Sequence, residues 1–302
     1  MTQNIELDEP LFEHLGTFLG LPAWTPDAPA DVAVQGIPFD LTTPGRPGAR
    51  FGPGAIRLAS ANLRWDRPRW PWRFELADRL VVRDAGDVHN QTGVPDTMVT
   101  RVVARTAQLL EHGARVLTFG GDHYVSLPLL RAHALRHGKM ALLHFDSHTD
   151  TYDGPEFDNG TPFHFAAKEG LIDPEKSIQI GIRTVYDPQD YPYTVLDADW
   201  CCNHGPQEVL RRIREVIGDS PAYLTFDIDG LDPAFAPGTG TPVVGGFSTN
   251  FALQVLRGLG RVNVVGMDIV EVAPPYDIAD ITSLAAATLA LEMLHVWADG
   301  RS

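Results

Sequence analysis

Short apolar runs alternate along the chain with longer segments in which apolar residues recur every three or four positions. Runs rich in Val, Ile, Leu and Phe predict strands at Val32–Gly36, Leu80–Asp84, Val116–Phe119, Ala141–Phe145, Ser177–Gly181, Ala222–Phe226 and Val262–Met267. Helical spacing occurs at Thr97–His112, Val125–Arg136, Pro206–Ile217, Asn250–Leu259 and Asp280–Ala298, and another helix is predicted to begin near Pro53. Strands separated by helices predict an α/β fold with three layers, α/β/α, around a mainly parallel central sheet.

The chain shows no long Ser/Gly/Pro linker and no repeat, so we predict a single domain over residues 1–302. Its Gly/Pro-rich pieces, 42–54 and 232–246, are short and lie between predicted elements. They are predicted to be loops at the edge of the sheet. Because ligands of open α/β sheets bind beyond the carboxyl ends of the strands, residues that follow predicted strands are the candidates for function.

Charge and composition narrow the classes of function. The formal net charge is −15, from 39 acidic and 24 basic residues, and no basic cluster is present to bind nucleic acid. A cationic small ligand is compatible with this charge. The start MTQNIELDEP lacks the basic and apolar parts of a secretory signal. The most apolar run, Leu284–Ala298, is interrupted by Glu292 and His295. We therefore predict a cytoplasmic protein without a membrane partner.

The segment HFDSHTDTYD carries the first candidate chemistry. Asp146, His148 and Asp150 are spaced by two residues, so in an extended chain their side chains would point to the same side. Two carboxylates held together are unfavourable unless a cation lies between them. His144 is predicted to face the packing side of the strand, away from Asp146, and not to be a ligand.

Two other predicted strands end in residues of the same kind. His123 closes GGDH after Val116–Phe119, and Asp227 and Asp229 follow Ala222–Phe226 in TFDIDGLDP. Each residue alone is more readily explained as a turn former, but six ligand-type side chains at three strand ends indicate a metal site. Four carboxylates and two imidazoles exceed the needs of one tetrahedral zinc. They suit two ions about 3.5–4 Å apart, and this oxygen-rich set favours Mn²⁺.

The charge of such a site indicates its substrate. Two divalent ions balance four aspartates, and a bridging hydroxide would leave a net charge of −1. The site would then attract a cationic electrophile and repel an anionic one such as a phosphate ester. Because divalent ions bring the pKa of bound water towards neutrality, the predicted reaction is hydrolysis.

These motifs resemble those of a known family. GGDH, HFDSHTDTYD and FDIDGLDPAFAPGTGTPVVGG are similar to the three characteristic segments of the ureohydrolases, the manganese enzymes that include arginase and agmatinase. The segments GIPFD, GRPGARFGP, DAGDV, EGLIDPEKSIQIGIRT and GMDIVEVAPPYD resemble the agmatinase branch, so the likeness covers nearly the whole chain. The resemblance implies an arginase-like fold and two Mn²⁺ per chain.

The resemblance also assigns roles to individual residues. It implies that one Mn²⁺ is held by His123, Asp146, Asp150 and Asp227. The other would be held by His148 and Asp229, with Asp146 and Asp227 bridging. Asp150 would accept a hydrogen bond from the bridging hydroxide and carry its proton to the leaving amine. Glu271, in VEVAPPYD, would pair with the substrate guanidinium.

One position departs from the family pattern. Many members have a histidine in the loop after the second motif, where this chain has Asn159 in FDNGTPFHF. An amide can form hydrogen bonds but cannot titrate near pH 7. Asn159 and His164 are therefore both candidates for substrate binding, and His164 could instead be an ordinary residue at the start of a helix.

The resemblance implies the hydrolysis of agmatine to putrescine and urea. The alternative within the family is a guanidino-acid hydrolase of the guanidinobutyrase or guanidinopropionase type, which would need a cationic group for the substrate's carboxylate. A related deacetylase would use one zinc and fewer carboxylates, and a non-catalytic relative would have no need of all six ligands. The family likeness further implies a homo-oligomer, a trimer or hexamer.

Overall fold

The computed structural model describes residues 16–28, 30–65, 67–89, 96–154, 156–188 and 191–300. In this part of the chain, eight strands alternate with seven α-helices. The strands are β1 Val32–Gly36, β2 Val82–Asp87, β3 Arg115–Phe119, β4 Ala141–Phe145, β5 Ile178–Ile182, β6 Thr194–Asp197, β7 Ala222–Asp227 and β8 Val264–Val270. The helices are α1 Gly52–Ser60, α2 Asp96–Glu111, α3 Ser126–His137, α4 Pro162–Lys168, α5 Ala198–Ile217, α6 Thr249–Arg257 and α7 Ile281–Asp299.

The strands form one parallel sheet in the order β2-β1-β3-β8-β7-β4-β5-β6. Helices α1, α5, α6 and α7 pack on one face, and α2, α3 and α4 pack on the other. The predicted three-layer α/β/α fold is confirmed. Both faces are covered, so the central strands are apolar at successive positions rather than at alternate ones.

Strand β4 shows how the core is built on both sides of the sheet. Ala141, Leu143 and Phe145 enter the core under α5, α6 and α7, whereas Leu142 enters the core under α2, α3 and α4. All of these side chains are fully buried. Each residue of the run therefore packs against a helix layer, which is why the run carries no polar residue until His144.

The structure differs from the sequence prediction mainly at short or interrupted elements. Strand β6 has four residues and was not predicted, and of the seven-residue helix α4 only a possible start at His164 was considered. Helix α5 begins at Ala198, well before the predicted start at Pro206, because the chain continues through a kink at Gly205, whose φ is 78°. Gly205 and Pro206 therefore mark a kink inside the helix rather than its start.

Helix α7 is the described helix that is long and apolar enough to cross a membrane by length and composition. Its mean hydropathy over the best window is 1.4, and 78% of that window is buried inside the protein. It is longer than the predicted apolar run, so length does not argue against a membrane span. Its burial is that of a core helix, with the Glu292 carboxylate accepting two hydrogen bonds from Arg257.

Candidate active site

The candidate functional residues lie at the carboxyl ends of four neighbouring strands. His123 follows β3, Glu271 follows β8, Asp227 ends β7 and Asp146 follows β4. These strands are adjacent in the order β3-β8-β7-β4, at the middle of the sheet. Residues that are far apart in sequence therefore converge above the centre of the sheet, where open α/β folds bind ligands.

The first cluster surrounds the Nδ1 atom of His123. This atom lies 2.8 Å from Asp150 Oδ2, 3.1 Å from Asp146 Oδ2 and 3.2 Å from Asp227 Oδ2. All four residues are buried, yet Nδ1 forms no hydrogen bond of acceptable geometry. Four donor atoms that crowd together without hydrogen bonds to one another have the arrangement of ligands around a cation.

The second cluster surrounds the Nδ1 atom of His148. It lies 3.1 Å from Asp229 Oδ2 and 3.4 Å from Asp146 Oδ1. Asp146 therefore belongs to both clusters, whereas Asp227 is grouped with the first, so its bridging role remains a prediction. The His148 side chain is 21% exposed while both carboxylates are buried, so solvent and substrate can reach the site on this side.

Turns, rather than the strand pleat, bring these residues together. β4 ends at Phe145, so Asp146, His148 and Asp150 lie beyond the strand, and the explanation by strand alternation was wrong. The backbone N–H of His148 donates to Asp146 Oδ1 at 2.6 Å. The N–H of Asp229 likewise donates to Asp227 Oδ1 at 2.8 Å. Each aspartate forms a turn with one oxygen and directs the other into the first cluster.

The GGDH loop is held by close backbone packing. A Cβ on Gly121 would lie 1.6 Å from Phe39 O, so no larger residue fits there. The N–H of Asp122 donates to the same carbonyl, and Asp122 Oδ2 accepts hydrogen bonds from the backbone and hydroxyl of Thr42. The glycine pair thus lets the loop pack tightly, which places His123 over the sheet.

Glu271 lies beside the first cluster with one oxygen held and the other without a partner. Its Oε1 accepts the backbone N–H of His123 at 2.9 Å, while Oε2 is buried and has no hydrogen-bond partner. Burial, followed by the charge of Asp122, raises the pKa of Glu271 to about 8. A buried carboxylate oxygen without a partner is costly, and a cationic hydrogen-bond donor would relieve that cost.

Backbone strain is found at both residues that were predicted to be catalytic. Asp150 has φ 49° and Glu271 has φ 62°, in the left-handed region that residues with a Cβ rarely occupy. Such conformations cost about 1–3 kcal/mol each and persist where the surrounding structure imposes them. Here the surrounding hydrogen bonds do so, since the N–H of Glu271 donates to Gly121 O and Asp150 O accepts from Phe163 N.

Without a cation, several side chains of this site bind protons more tightly than they would in water. Burial, and then the charges of Asp229 and Asp146, raise the pKa of Asp227 well above its usual range. Burial and the charge of Asp146 raise the pKa of Asp150 to about 6. Burial disfavours the charged form of His148, but the carboxylates of Asp146 and Asp229 outweigh burial and raise its pKa. A divalent cation would replace these protons, so its binding should strengthen as pH rises.

The two candidates for substrate binding occupy different surroundings. Asn159 is half-buried, and its Nδ2 lies 3.5 Å from Glu271 Oε1, so its amide reaches the site. His164 lies in the first turn of α4, where its Nε2 is 3.5 Å from Asp153 Oδ1, a largely exposed carboxylate. Asn159 therefore lies next to Glu271, whereas His164 pairs with a surface acid.

Sequence reasoning missed two residues that support His123. Thr225 Oγ1 lies 2.8 Å from His123 Nε2 and donates its proton to Asp268 Oδ1. The threonine oxygen must then accept from His123 Nε2, which keeps that proton on Nε2 and leaves Nδ1 to face the cluster. A signal existed in the sequence, because Asp268 is the one carboxylate in the apolar run VVGMDIV.

His144 was placed wrongly by the sequence analysis. It was expected to face away from Asp146, but its Nε2 lies 2.7 Å from Asp146 Oδ2. Residues two apart in a strand share a face, so the predicted orientation contradicted the strand period. His144 is fully buried and packs against Phe163. It contacts a predicted metal ligand and is not itself part of either cluster described above.

The donor set fits a metal centre. The six predicted ligands form two adjacent groups that share Asp146, and five of the six are buried. The unpartnered Nδ1 of His123 and the raised pKa values show that the protein groups do not satisfy one another. Oxygen-rich donors with two imidazoles on a three-layer α/β/α fold define a hydrolytic metalloenzyme class.

Comparison with known proteins identifies the family. The family model described as "Arginase family" matches residues 30–295. An agmatinase of Salmonella typhi is 54% identical over 300 residues, with 98% of each chain covered. The structure of a hypothetical agmatinase from Burkholderia thailandensis superposes with a TM-score of 0.92 at 47% identity, covering 96% of this chain and 92% of that one.

A third similar structure belongs to a hydrolase with a different name. Proclavaminate amidino hydrolase from Streptomyces clavuligerus superposes with a TM-score of 0.88 at 37% identity, covering 97% of this chain and all of that one. The chain belongs to the arginase family and is an agmatinase-like ureohydrolase, as the sequence resemblance implied. This membership decides against the one-zinc deacetylase alternative.

Proposed function

We propose that this enzyme hydrolyses the guanidinium group of agmatine to putrescine and urea, using two Mn²⁺ per chain. The observation that carries the proposal is the buried Glu271 Oε2, which has no partner and lies beside a cluster of metal-type donors. Such an oxygen suits a cationic guanidinium, which can donate to it directly. The relatives named agmatinase, 54% identical over almost the whole chain, support this substrate.

The residues that would hold the ions are the six that the structure groups together. His123, Asp146, Asp150 and Asp227 would hold one ion, and His148 and Asp229 the other, with Asp146 and Asp227 shared. Mn²⁺ suits this set because oxygen donors dominate and no thiolate takes part. When bound, two such ions would lower the pKa of water towards neutrality and so make a hydroxide nucleophile available near pH 7.

Glu271 would bind and aim the substrate. The His123 N–H holds Oε1, so the carboxylate cannot rotate freely and Oε2 is presented in a fixed direction. A bound guanidinium would favour the ionised form of Glu271 and offset the burial that raises its pKa. Holding the reacting carbon in one position converts an encounter into an intramolecular step, which lowers the barrier.

Asp150 would move the proton. Departure of the amine requires a proton on its nitrogen, and a carboxylate can accept a proton and release it again. Asp150 lies in the first cluster, with its Oδ2 2.8 Å from His123 Nδ1, and the backbone at φ 49° fixes where its side chain starts. The Asp150 carboxylate would therefore take the proton of the attacking hydroxide and deliver it to the leaving nitrogen.

Asn159 would orient the substrate without exchanging protons. Its amide lies next to Glu271 Oε1 and can both donate and accept hydrogen bonds. His164, which is paired with Asp153, would take no part in the reaction. Relatives that have a histidine at position 159 would gain a titrating group there, so this enzyme should depend less on such a group near pH 7.

A guanidino-acid hydrolase is the second candidate. It is favoured by the likeness to proclavaminate amidino hydrolase from Streptomyces clavuligerus, at 37% identity over 97% of this chain. The two functions share the metal site and Glu271, and they differ in what meets the far end of the substrate. Agmatine ends in an ammonium that needs acceptors, whereas a guanidino acid ends in a carboxylate that needs a cation.

The discriminating experiment measures urea release by the Mn²⁺-loaded enzyme from agmatine, arginine, guanidinobutanoate and guanidinopropanoate. We expect the highest kcat/KM with agmatine. Glu271→Gln, which keeps the size but removes the charge, is the matched control and should lose most of this activity. A preference for an acid substrate would overturn the agmatine assignment, and full activity of Glu271→Gln would overturn the role of Glu271.

A further inference from the structure

A chain of hydrogen bonds runs from the β5–β6 connection to the shared ligand Asp146. Tyr191 OH donates to Gln179 Oε1 at 2.5 Å. Gln179 Nε2 lies 2.7 Å from Thr149 O and 2.9 Å from His144 Nδ1. His144 Nε2 lies 2.7 Å from Asp146 Oδ2. His144 and Gln179 are register partners on the paired strands β4 and β5, so the sheet itself places them side by side.

The donor and the acceptor of every hydrogen bond in this series can be assigned. The carbonyl of Thr149 can only accept, so the Gln179 atom that faces it must be the amide nitrogen. The amide oxygen then faces Tyr191, whose hydroxyl must donate. The second amide hydrogen points at His144 Nδ1, which must accept and therefore carries no proton. A neutral His144 is left with its proton on Nε2, where it donates to Asp146.

Burial enforces these donor and acceptor assignments. His144, Gln179 and Asp146 are fully buried, so a lost partner would be hard for water to replace. A buried chain in which each donor meets one acceptor holds its members in a single orientation.

The series of hydrogen bonds ends at Asp146, the residue that both metal clusters share. Asp146 Oδ2 faces His123 Nδ1 in the first cluster and accepts from His144, while Oδ1 accepts the His148 N–H and borders the second cluster. If Asp146 rotated, donor atoms would be displaced in both clusters at once. Partners that orient a ligand in this way commonly change metal affinity or activity by about 10–100-fold.

We propose that Tyr191, Gln179 and His144 form a positioning relay that fixes the orientation of Asp146 and thereby sets the affinity for both metal ions. The proposal rests on the two-ion site of the proposed function. It assigns a role to β5 and to the β5–β6 connection, neither of which contributes a predicted ligand. None of the three residues touches the substrate in this account, and they act through Asp146.

The test compares two neighbouring tyrosines. Tyr191→Phe removes the hydroxyl that begins the relay. Tyr193→Phe removes a hydroxyl that donates to Phe163 O and takes no part in the relay. The ring centroids of Tyr193 and Tyr191 are 5.3 Å apart, so the two substitutions have similar surroundings. The dissociation constants for Mn²⁺ are measured by titration of chelator-treated protein, without substrate. We expect about 3–10-fold weaker binding of both ions in Tyr191→Phe and less than about twofold change in Tyr193→Phe.

A second variant acts further along the relay. Gln179→Leu removes the donor to His144 Nδ1, so we expect about 10–100-fold weaker binding. Because the residues act in series, Tyr191→Phe combined with Gln179→Leu should be no weaker than Gln179→Leu alone. If Gln179→Leu fails to fold, the tyrosine pair still decides the question, with Thr151→Val as the control for the other partner of the Tyr191 hydroxyl. That partner, Thr151 Oγ1, lies 2.8 Å away, and its removal should leave Mn²⁺ affinity unchanged. Wild-type Mn²⁺ affinity in Tyr191→Phe, or an equal loss in Tyr193→Phe, would overturn the relay.

The histidine nitrogen signals provide a readout that a purely structural role would not change. In ¹⁵N-histidine spectra of chelator-treated protein, His144 should carry its proton on Nε2 in the wild type and in Tyr193→Phe. In Gln179→Leu the Nδ1 signal should shift because this nitrogen loses its hydrogen-bond donor, while Asp146, which can only accept, keeps the proton on Nε2. An unchanged Nδ1 signal in that variant would contradict the relay. If the wild type binds two ions but releases no urea, the proposed function fails while the relay stands.

Discussion

Replacing Thr225 by valine would remove one hydroxyl from between His123 and Asp268. The side chain keeps nearly the same shape, so the buried strand β7 should remain packed. The hydroxyl oxygen lies 2.8 Å from His123 Nε2 and 2.5 Å from Asp268 Oδ1. Asp268 also accepts from Ser126 Oγ at 2.8 Å and Tyr223 OH at 2.9 Å, so its carboxylate would keep two of three partners.

The expected cost follows from the two hydrogen bonds that are lost. A hydrogen bond to a charged group contributes about 1.5–3 kcal/mol, and a buried donor left without a partner costs about 1–3 kcal/mol. The free energy of unfolding should therefore fall by about 4 kcal/mol. Because His123 would lose the partner that fixes its tautomer, Mn²⁺ affinity should also fall by about 10–100-fold.

Thr118→Val is the matched control for this substitution. Thr118 is a fully buried threonine on β3 whose hydroxyl accepts from Gln35 Nε2 at 3.2 Å, and Gln35 keeps a second contact with Thr106 at 2.9 Å. It should cost about 1 kcal/mol and leave Mn²⁺ affinity unchanged. Urea denaturation of chelator-treated protein measures the first quantity, and Mn²⁺ titration the second. Equal stability losses in the two variants, or wild-type affinity in Thr225→Val, would refute the reasoning.

Three other predictions concern the site itself. Glu271→Gln should raise KM for agmatine and lower kcat/KM by at least about 100-fold, while two Mn²⁺ ions still bind, as metal analysis would show. Asn159→His should add one ionisation to the pH profile of kcat/KM, between about pH 6 and 7, and identical pH profiles in the wild type and the variant would refute this assignment. The metal-free protein should lose stability as pH rises from about 4 to 8. The sign follows because the folded pKa values of Asp150, about 6, and Glu271, about 8, exceed the ordinary values of 3.8 and 4.5, so the folded state holds protons longer than the unfolded state. Denaturation at pH 5 and pH 8 tests this, and Asp150→Asn should show a smaller difference between the two.

The central strands could be read from the sequence because their chemistry is local. β1 and β4 lie where the apolar runs predicted them, to the residue, since strands buried on both faces contain little else. The predicted ligands could be proposed for a related reason: each follows such a run, and parallel strands end at one edge of the sheet. The positions of His123, Asp146 and Asp227 followed from these two facts.

The second layer of the site could not be read in the same way. The contact between His144 and Gln179 depends on the register of β4 against β5, and that register is set by packing over the whole sheet. Tyr191 enters the site from the connection to β6, a strand of four residues with little sequence signal. The positive φ of Asp150 and Glu271 goes against local preference, so only the folded surroundings reveal it.

Three expectations stay predictions: the single domain over residues 1–302, the cytoplasmic location, and the homo-oligomer, trimer or hexamer. Sedimentation of the purified enzyme would test the last of these. The same fraction should carry the two Mn²⁺ ions per chain that the site implies.

The most direct test of the account follows the oxygen atom. Metal-free enzyme is loaded with Mn²⁺ and given agmatine in H₂¹⁸O, and the products are analysed by mass spectrometry. The account predicts urea with one ¹⁸O atom and an equal amount of unlabelled putrescine, because water attacks the guanidinium carbon and the amine departs intact. Unlabelled urea, or no urea from an enzyme that has bound two ions, would contradict it.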